Sequence, residues 1–299
     1  MKVALTGASG FLGHYLTREM LDRGHEVRAL VRESSRRDLL SQWGVEMVPG
    51  NLHDVTSLET LVDGTEVVLH NALEWVNFTD SPREAFETNV GRSLDLLEFA
   101  RKHGKQQFIF VSSIAALGAV APDIPLNEIH PIWPDTIYGT CKAMVDDACT
   151  GYYHVYGMNT SSWRPALVYG VDMLDSKRAT WRNLILSVAR GEPFSSDEGG
   201  SINSIEDTAH AIVLAVGNPA VAGQQYNVVD CYYYKQQVAQ FAKELSGSSA
   251  VIEDRIGAAE PRFRVLSDKA RALGARLNRG LDGVREHVQR VLELSKGEW

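Results

Sequence analysis

The chain has 299 residues, of which 44% are hydrophobic and 23% are charged, and this composition excludes a disordered chain. Its formal net charge of −8 argues against broad nucleic-acid binding and against docking on an anionic membrane surface. A chain of this length can bury its core without disulfides or structural metals, and it corresponds to about two domain-sized units.

Short apolar runs alternate with helical patterns through the first half of the chain. The runs are rich in Val, Ile, Leu and Phe, which is typical of strands buried on both faces. The predicted strands are Lys2–Thr6, Glu26–Val31, Glu46–Pro49, Val67–His70 and residues 108–112. The predicted helices are residues 11–23, 36–43, 55–62 and 82–103. This alternation predicts a parallel sheet with right-handed crossovers.

The second half has a weaker pattern. It predicts helices at about 138–156, 205–216 and 281–296, and strands at 160–163 and 225–229. Residues 172–203 contain turn signals without a clear element. We therefore expect an α/β fold with a large, doubly wound parallel sheet and a smaller, partly interleaved C-terminal part.

A glycine-rich turn joins the first predicted strand to the first predicted helix. Gly7, Gly10 and Gly13 permit a tight turn and let backbone N–H groups approach a pyrophosphate at a helix N-terminus. An ordinary turn would also contain glycines, but the first strand–helix junction is the place that dinucleotide binding requires. The predicted cofactor contacts in this turn are Gly7, Ser9, Gly10, Phe11, Leu12 and Gly13.

Basic residues follow the second predicted strand. An NAD site usually has an acid here that accepts from the ribose 2′-hydroxyl, whereas a guanidinium suits a 2′-phosphate. Arg32 and Arg36 therefore favour NADP, with NAD as the second choice. Glu33 opposes this interpretation, and solvated surface arginines are the alternative.

A tyrosine and a lysine are spaced for one helix face. Tyr138 stands four residues before Lys142, so the phenol and the ammonium are expected to point the same way. A neighbouring ammonium lowers the phenol pKa from its ordinary value of about 10, which would make Tyr138 a general acid–base. Ser113, after the fifth strand, would hold the substrate oxygen. Such a spacing also arises by chance, but the upstream glycine turn makes chance a poor explanation.

These motifs, in this order, resemble the extended short-chain dehydrogenase/reductase family, which includes nucleotide-sugar epimerases, dehydratases and dihydroflavonol-reductase-like reductases. The resemblance covers nearly the whole chain. Its marks are Thr6 to Gly13, Gly50-Asn51-Leu52, His70-Asn71-Ala72, Asn89, Ser112-Ser113, Tyr138 to Lys142, Arg164 to Gly170 and Leu266 to Ala270. It implies a Rossmann-type sheet formed by residues 1–166 and about 204–229. About 167–203 and 230–299 would form a smaller, interleaved α/β substrate cap.

The resemblance also implies roles for single residues. Tyr138 would be the catalytic acid–base, Lys142 would bind the nicotinamide ribose and Ser113 would orient the reacting oxygen. Further cofactor contacts would be Asn51, Leu52, Asn71, Ala72, Asn89, Pro165 and Val168. Family members often dimerise through two helices per subunit, here 82–103 and 138–156, so a homodimer is expected.

The chain departs from the family pattern near the cofactor. Asn51 stands where the family often has Asp, and either contacts the adenine or is a plain turn residue. Asn71 and Leu73 replace residues that are usually small or apolar beside His70. The details of the adenine and nicotinamide contacts therefore differ from the family pattern.

Three functions stay open, and the first is favoured. They are an NADP-dependent carbonyl reductase or alcohol dehydrogenase, an NAD-dependent nucleotide-sugar 4-epimerase, and a non-catalytic NADP sensor. Sugar-nucleotide members usually carry a basic residue where residues 199–204 contain none, and sensors usually lack the Tyr/Lys pair that this chain keeps. The predicted substrate contacts are Trp75, Phe78, Ile114 and Trp133, which suit an apolar or ring-shaped small molecule; ordinary packing is the alternative.

The three cysteines are scattered at positions 141, 149 and 231, with no metal-ligand or disulfide pattern. The sequence shows no signal peptide and no apolar run of membrane length. We therefore expect a cytoplasmic protein that needs no metal and binds neither nucleic acid nor a membrane.

Overall fold

Ten strands form two sheets in the computed structural model, which describes residues 1–118, 124–256 and 264–299. The strands are β1 (Lys2–Thr6), β2 (Glu26–Val31), β3 (Glu46–Pro49), β4 (Val67–His70), β5 (Gln107–Val111), β6 (Asn159–Pro165), β7 (Leu167–Tyr169), β8 (Gly199–Ser204), β9 (Gln224–Val228) and β10 (Cys231–Tyr234). Seven of them pair in parallel in the order β3-β2-β1-β4-β5-β6-β9. The strand order reverses between β1 and β4, and ligands of such sheets bind at this switch point.

Eleven α-helices lie around the sheets in the described part of the chain. They are α1 (Phe11–Asp22), α2 (Asp38–Gln42), α3 (Val55–Val62), α4 (Pro82–Ala85), α5 (Arg92–Lys102), α6 (Ile137–Tyr156), α7 (Arg182–Ala189), α8 (Ile205–Val213), α9 (Lys235–Ser246), α10 (Asp268–Ala272) and α11 (Gly280–Leu294). One hydrophobic cluster joins α1 and α8 to the central sheet, and a second joins α3, α5 and α6 to it. The sheet is therefore covered on both faces, which confirms the predicted Rossmann-like α/β fold.

Short polar side chains cap two of the helices that border the central sheet. The Asp54 carboxylate accepts from the backbone of Thr56 and Ser57 at the start of α3. Thr136 caps α6 through a 3.0 Å bond from the Gly139 backbone N–H. Such caps satisfy N–H groups that have no partner within the first helical turn.

A second sheet, in the order β10-β8-β7, has its own core. β10 runs antiparallel to β8, and β7 runs parallel to it. Buried side chains of α7, α9 and α11 pack there, among them Ile185, Val238 and Val288. The bounds predicted for the two parts stay a prediction, and residues 119–123 and 257–263 of those parts lie outside the described ranges. Within the described ranges no helix is both long and apolar enough to cross a membrane.

Several predicted elements need correction. The predicted helix 82–103 is α4, a π-helical turn at Phe86–Gly91, and α5. The predicted helix 36–43 shrinks to α2, and the predicted helix 205–216 ends at Val213. Residues 172–203 contain α7 and β8, which we did not predict; nor did we predict β7, β10, α9 or α10. β8 begins with two glycines and is a strand because β10 and β7 supply its hydrogen-bond partners.

Candidate active site

A cleft of about 580 Å³ lies at the carboxyl ends of the central strands. Its wall is formed by the segments that follow β1, β2, β3, β4 and β5, by α6, and by residues after β6 and β7. The lining residues are Gly7, Ser9, Gly10, Phe11, Leu12, Leu30, Arg32, Ser35, Gly50, Asn51, Leu52, Asn71, Ala72, Leu73, Glu74, Trp75, Val111, Ser112, Ser113, Tyr138, Lys142, Pro165, Ala166, Val168, Asp172 and Arg178. This volume is within the range of small-molecule and cofactor sites.

The glycine turn at one end of the cleft is tightly packed. Gly7 has a φ of +73°, which only glycine adopts readily, and a Cβ there would lie 3.0 Å from the Ala72 backbone. The Gly10 N–H donates to the Gly7 carbonyl at 3.1 Å and begins α1. A Cβ on Gly13 would lie 1.9 Å from that same carbonyl. The turn therefore presents bare backbone at the N-terminus of α1, the arrangement that binds phosphate groups.

Ser113, Tyr138 and Lys142 meet at the other end of the cleft. Tyr138 lies in the first turn of α6 and Lys142 one turn later. Ser113 hydrogen-bonds to the Tyr138 phenol. The start of α6 packs closely against the segment after Ser113 because residue 139 is glycine: a Cβ on Gly139 would lie 2.3 Å from the Ala115 carbonyl oxygen. The Lys142 ammonium is buried, donates to the Val111 carbonyl at 2.8 Å, and lies 5.9 Å from the centre of the Tyr138 ring.

The protonation of this group differs from the expectation. Burial raises the pKa of Tyr138, and the hydrogen bond from Ser113 opposes that rise only in part. Burial also lowers the pKa of Lys142 to about 8, against the opposing effects of Asp146 and Cys141. The expected lowering of the Tyr138 pKa is therefore corrected: desolvation of the phenol dominates, and the Ser113 hydrogen bond offsets it only in part. In this structure Tyr138 is a protonated phenol at neutral pH, and so a proton donor.

Two aromatic rings cover the Tyr138 side chain. The Trp75 ring lies nearly parallel to it at 6.3 Å between centroids, and the Phe78 ring stands edge-on at 5.6 Å. The Trp75 residue is 78% exposed, which is unusual for a large apolar side chain. The rings form an apolar wall beside the Tyr138 phenol.

The Asn89 side chain fixes the loop that carries Trp75 by two hydrogen bonds. The Asn89 side chain accepts from the Glu74 backbone N–H at 2.9 Å and donates to the Glu74 carbonyl at 3.1 Å. Asn89 is buried in the π-helical turn, a rare feature that is frequent near functional sites. These two bonds fix the backbone from which the Glu74 and Trp75 side chains project.

Charged side chains meet at the end of the cleft near β2. Arg32 Nη1 lies 3.7 Å from Glu74 Oε2, and the two side chains are 59% and 30% exposed. The Ser35 hydroxyl accepts from the Arg32 backbone N–H at 3.1 Å and from the Ser9 hydroxyl at 3.2 Å. Arg36 points elsewhere: its guanidinium donates to the Leu174 carbonyl at 2.6 Å.

Comparison with known proteins agrees with this geometry. The model of the NAD dependent epimerase/dehydratase family matches residues 3–229. The chain belongs to this family. It is 30% identical over 252 residues to "Sterol demethylase protein B" of Methylococcus capsulatus, covering 83% of this chain and 75% of the relative. It is 28% identical over 269 residues to a UDP-glucose 4-epimerase of Corynebacterium glutamicum, covering 83% and 81%.

A solved family member has the same fold. The UDP-glucose 4-epimerase of Thermus thermophilus in complex with NAD superposes with a TM-score of 0.79 over the full length of both chains at 24% identity. Members of the family are NAD(P)-dependent oxidoreductases, epimerases and dehydratases.

Most of the site residues that the sequence of this chain predicted line the cleft. Besides Ser113, Tyr138 and Lys142, they are Gly7, Ser9, Gly10, Phe11, Leu12, Arg32, Asn51, Leu52, Asn71, Ala72, Trp75, Pro165 and Val168. Six do not line it: Gly13, Arg36, Phe78, Asn89, Ile114 and Trp133. Gly13 packs against the Gly7 carbonyl of the glycine turn, and Asn89 hydrogen-bonds to the Glu74 backbone. The Phe78 ring packs edge-on to the Tyr138 ring without lining the cleft.

Two predicted substrate contacts are placed outside the cleft lining. Trp133 is 50% exposed; its backbone N–H donates to the Leu117 carbonyl at 3.1 Å, and its ring packs edge-on to His130. Ile114 opens the 3-10 turn after Ser113. Neither residue is part of the cleft lining, and contact of either one with a substrate stays a prediction.

Other cleft residues were missed by the sequence patterns. Glu74, Ser35, Asp172 and Arg178 all line the cleft. The Asp172 carboxylate lies 3.9 Å from Arg178, whose side chain is 68% exposed. Asp172 and Arg178 come from the loop after β7, a strand of three residues without a readable pattern. Glu74 stands two residues after the His70-Asn71-Ala72 motif, and this position was the one available signal.

Proposed function

We propose that the protein is an NADP-dependent oxidoreductase that interconverts a carbonyl group and an alcohol. The observation that carries the proposal is the meeting of Ser113, Tyr138 and Lys142 in the cleft that begins at the glycine turn. Phosphate groups and a reacting carbonyl would then lie at opposite ends of one continuous site.

The residues present fit a nicotinamide dinucleotide. A Cβ at Gly7 or Gly13 would intrude into the turn, so the backbone there is shaped for close approach. The turn would hold the pyrophosphate, Asn51 and Leu52 the adenine side, and Pro165 and Val168 the nicotinamide side. When bound, the cofactor would supply or accept a hydride.

Tyr138 would transfer the proton that accompanies reduction. The phenol O–H would donate to the carbonyl oxygen, and the raised pKa keeps that proton in place at neutral pH. Ser113 would hold the same oxygen from the second side. Lys142, whose pKa of about 8 leaves it mostly charged at neutral pH, would bind ribose hydroxyls and favour the phenolate left after transfer.

The first test is Tyr138→Phe. We expect turnover to fall about 10²- to 10⁴-fold, since general acid catalysis contributes that much, while nucleotide binding persists. Tyr156→Phe is the matched control, because it removes a hydroxyl from a 55% exposed residue of the same helix. Assays follow NADPH consumption over a panel of ketones, aldehydes and sugar nucleotides. Retained activity in Tyr138→Phe would exclude Tyr138 from this role.

Arg32 supports the preference for NADP, although Glu74 competes for its guanidinium. We expect Arg32→Asp to weaken NADP binding about 10- to 100-fold, as for loss of a hydrogen bond to a charged group. NAD binding should change much less. Equal affinity of the starting protein for NADP and NAD would refute the 2′-phosphate role.

Sugar-nucleotide epimerisation is the second candidate. It is favoured by the epimerase relative and by Arg178, an exposed cation on the cleft wall that could meet a diphosphate. Lys177 is also exposed, whereas Arg182 is paired with Glu298 at 2.5 Å. Calorimetry with UDP- and dTDP-sugars discriminates: affinity that disappears in Arg178→Gln supports epimerisation, and no binding excludes it.

The expected homodimer stays a proposal. Helix α6 exposes Met144, Val155 and Tyr156, with 46%, 72% and 55% of their surfaces accessible. Exposed apolar side chains on one helix are typical of a contact surface. Sedimentation of the starting protein and of Val155→Asp tests this: the charge should produce a monomer, and a monomeric starting protein would refute the proposal.

A further inference from the structure

A row of buried ionisable side chains continues beyond Tyr138 and Lys142 along α6. Asp146 lies four residues after Lys142 and therefore on the same helix face. Lys142 is 6% exposed and Asp146 is 0% exposed. Asp146 Oδ2 accepts from Arg164 Nε of β6 at 2.7 Å, and Arg164 is 1% exposed.

This ion pair is poorly built for stability alone. Among the described residues, Asp146 Oδ1 and Arg164 Nη1 have no hydrogen-bond partner although both are buried. Buried ion pairs repay their desolvation only when the remaining polar atoms are also satisfied, and apolar residues often serve equally well. Stability alone therefore does not explain why a carboxylate, that of Asp146, is buried at this position.

We propose that Asp146, held in place by Arg164, is a positioning residue that keeps the Lys142 ammonium charged beside Tyr138. The proposal rests on the proposed function, because Lys142 has its role only in that site. Asp146 is not one of the residues that line the cleft, so it would act through Lys142.

The surroundings of Lys142 leave Asp146 as its counter-charge. The ammonium lies 4.8 Å from the Phe110 ring centre and bonds to a β5 carbonyl, so β5 offers no charge. From β4 it faces His70, whose pKa burial lowers to about 3, which leaves that ring neutral. On α6 itself, Cys141 has a raised pKa and is a neutral thiol. Arg164 of β6 is paired with the Asp146 carboxylate.

The effect of Asp146 has a definite sign. Burial lowers the pKa of Lys142 to about 8, and Asp146 is the first of the groups that oppose this. Without the carboxylate, the pKa of Lys142 falls further and the side chain loses its proton near neutral pH. Binding of the ribose would then weaken at a lower pH than in the starting protein.

The experiment measures Lys142 directly, in the full chain. Lysine labelled with ¹³C at Cε gives a resonance for Lys142, assigned by its loss in Lys142→Arg, and the pH midpoint of this resonance is recorded. We expect a midpoint of about 8 in the starting protein and one lower by about one pH unit or more in Asp146→Asn. Asp146→Glu should restore most of the difference.

The matched control is Asp147→Asn, which removes the neighbouring carboxylate on the exposed side of the helix and should leave the midpoint unchanged. An equal midpoint in Asp146→Asn and Asp147→Asn would overturn the proposal. If circular dichroism shows that Asp146→Asn does not fold, Asp146→Asn combined with Arg164→Gln replaces it, since no unpaired buried charge remains. That double variant also loses the Arg164 charge, so its midpoint should be lowered by less than in Asp146→Asn alone, and an unchanged midpoint would again overturn the proposal.

A second readout connects the pair with cofactor binding. NADP affinity, followed by tryptophan fluorescence across the same pH range, should weaken at a lower pH in Asp146→Asn than in Asp147→Asn. The resonance titration requires neither cofactor nor substrate. An unchanged Lys142 midpoint in Asp146→Asn would therefore overturn the role of Asp146 and leave the oxidoreductase proposal intact. Retained turnover in Tyr138→Phe would overturn the oxidoreductase proposal and leave the Lys142 titration unaffected.

Discussion

Gly13→Ala is a severe test of the glycine turn, because it adds one methyl group where the structure has no room. The new Cβ would lie 1.9 Å from the Gly7 carbonyl oxygen and 2.7 Å from backbone atoms of Ala8. All of these neighbours are backbone, so no flexible side chain can give way. The turn must move by about 1 Å, since real Cβ contacts shorter than 3.0 Å essentially do not occur.

Two opposing terms set the size of the effect. Alanine is a better helix residue than glycine by about 1 kcal/mol, whereas overpacking costs about 1–3 kcal/mol. The net loss of unfolding free energy is therefore about 0–2 kcal/mol. The moved N–H groups lose at least one hydrogen bond to a charged phosphate, worth about 1.5–3 kcal/mol, so nucleotide affinity should fall about tenfold or more.

Isothermal titration with NADP and NAD measures this loss, and thermal melts measure stability. Gly151→Ala is the matched control: this glycine also lies inside a helix, and its Cβ would meet nothing within 4 Å. It should stabilise the fold by about 1 kcal/mol and leave affinity unchanged. Unchanged nucleotide affinity in Gly13→Ala would refute the assignment of the turn as a phosphate site.

Three further predictions concern the cleft and the core. Glu74→Gln should strengthen NADP binding up to about fivefold by freeing Arg32, since exposed ion pairs are worth about 1 kcal/mol or less; in an Arg32→Gln background titration should show no gain. Trp75→Ala should raise KM for ring-bearing carbonyl substrates about two- to tenfold without changing the melting temperature, because the residue is 78% exposed; an unchanged KM would remove Trp75 from the substrate wall. The buried His70 ring has a pKa of about 3, below its ordinary 6.5, so its contribution to stability is complete above about pH 6.5 and is lost as the pH falls toward 3. Urea unfolding across this range should therefore show a shallower acid loss in His70→Gln than in the exposed control His154→Gln, and equal slopes would contradict the assignment.

The elements that sequence patterns predicted best are those determined by local rules. The bounds of the first four strands were predicted residue by residue. β1 and β4 are apolar runs buried on both faces of the sheet, whereas the edge strand β3 has exposed residues at both ends. The glycine turn was predicted because Gly7 needs a positive φ and a close approach that only glycine permits. The shared face of Tyr138 and Lys142 followed from helix geometry alone.

Tertiary structure decided whatever depends on partners that are distant in the chain. The strand at β8 exists because β10 and β7 pair with it, and the Glu74 side chain faces Arg32 because Asn89 holds its backbone. The direction of the Tyr138 pKa was also beyond the sequence, since spacing places an ammonium nearby but only the folded chain sets the depth of burial. Spacing and residue type thus determined which groups this protein has for chemistry, and packing determined their charge and their neighbours.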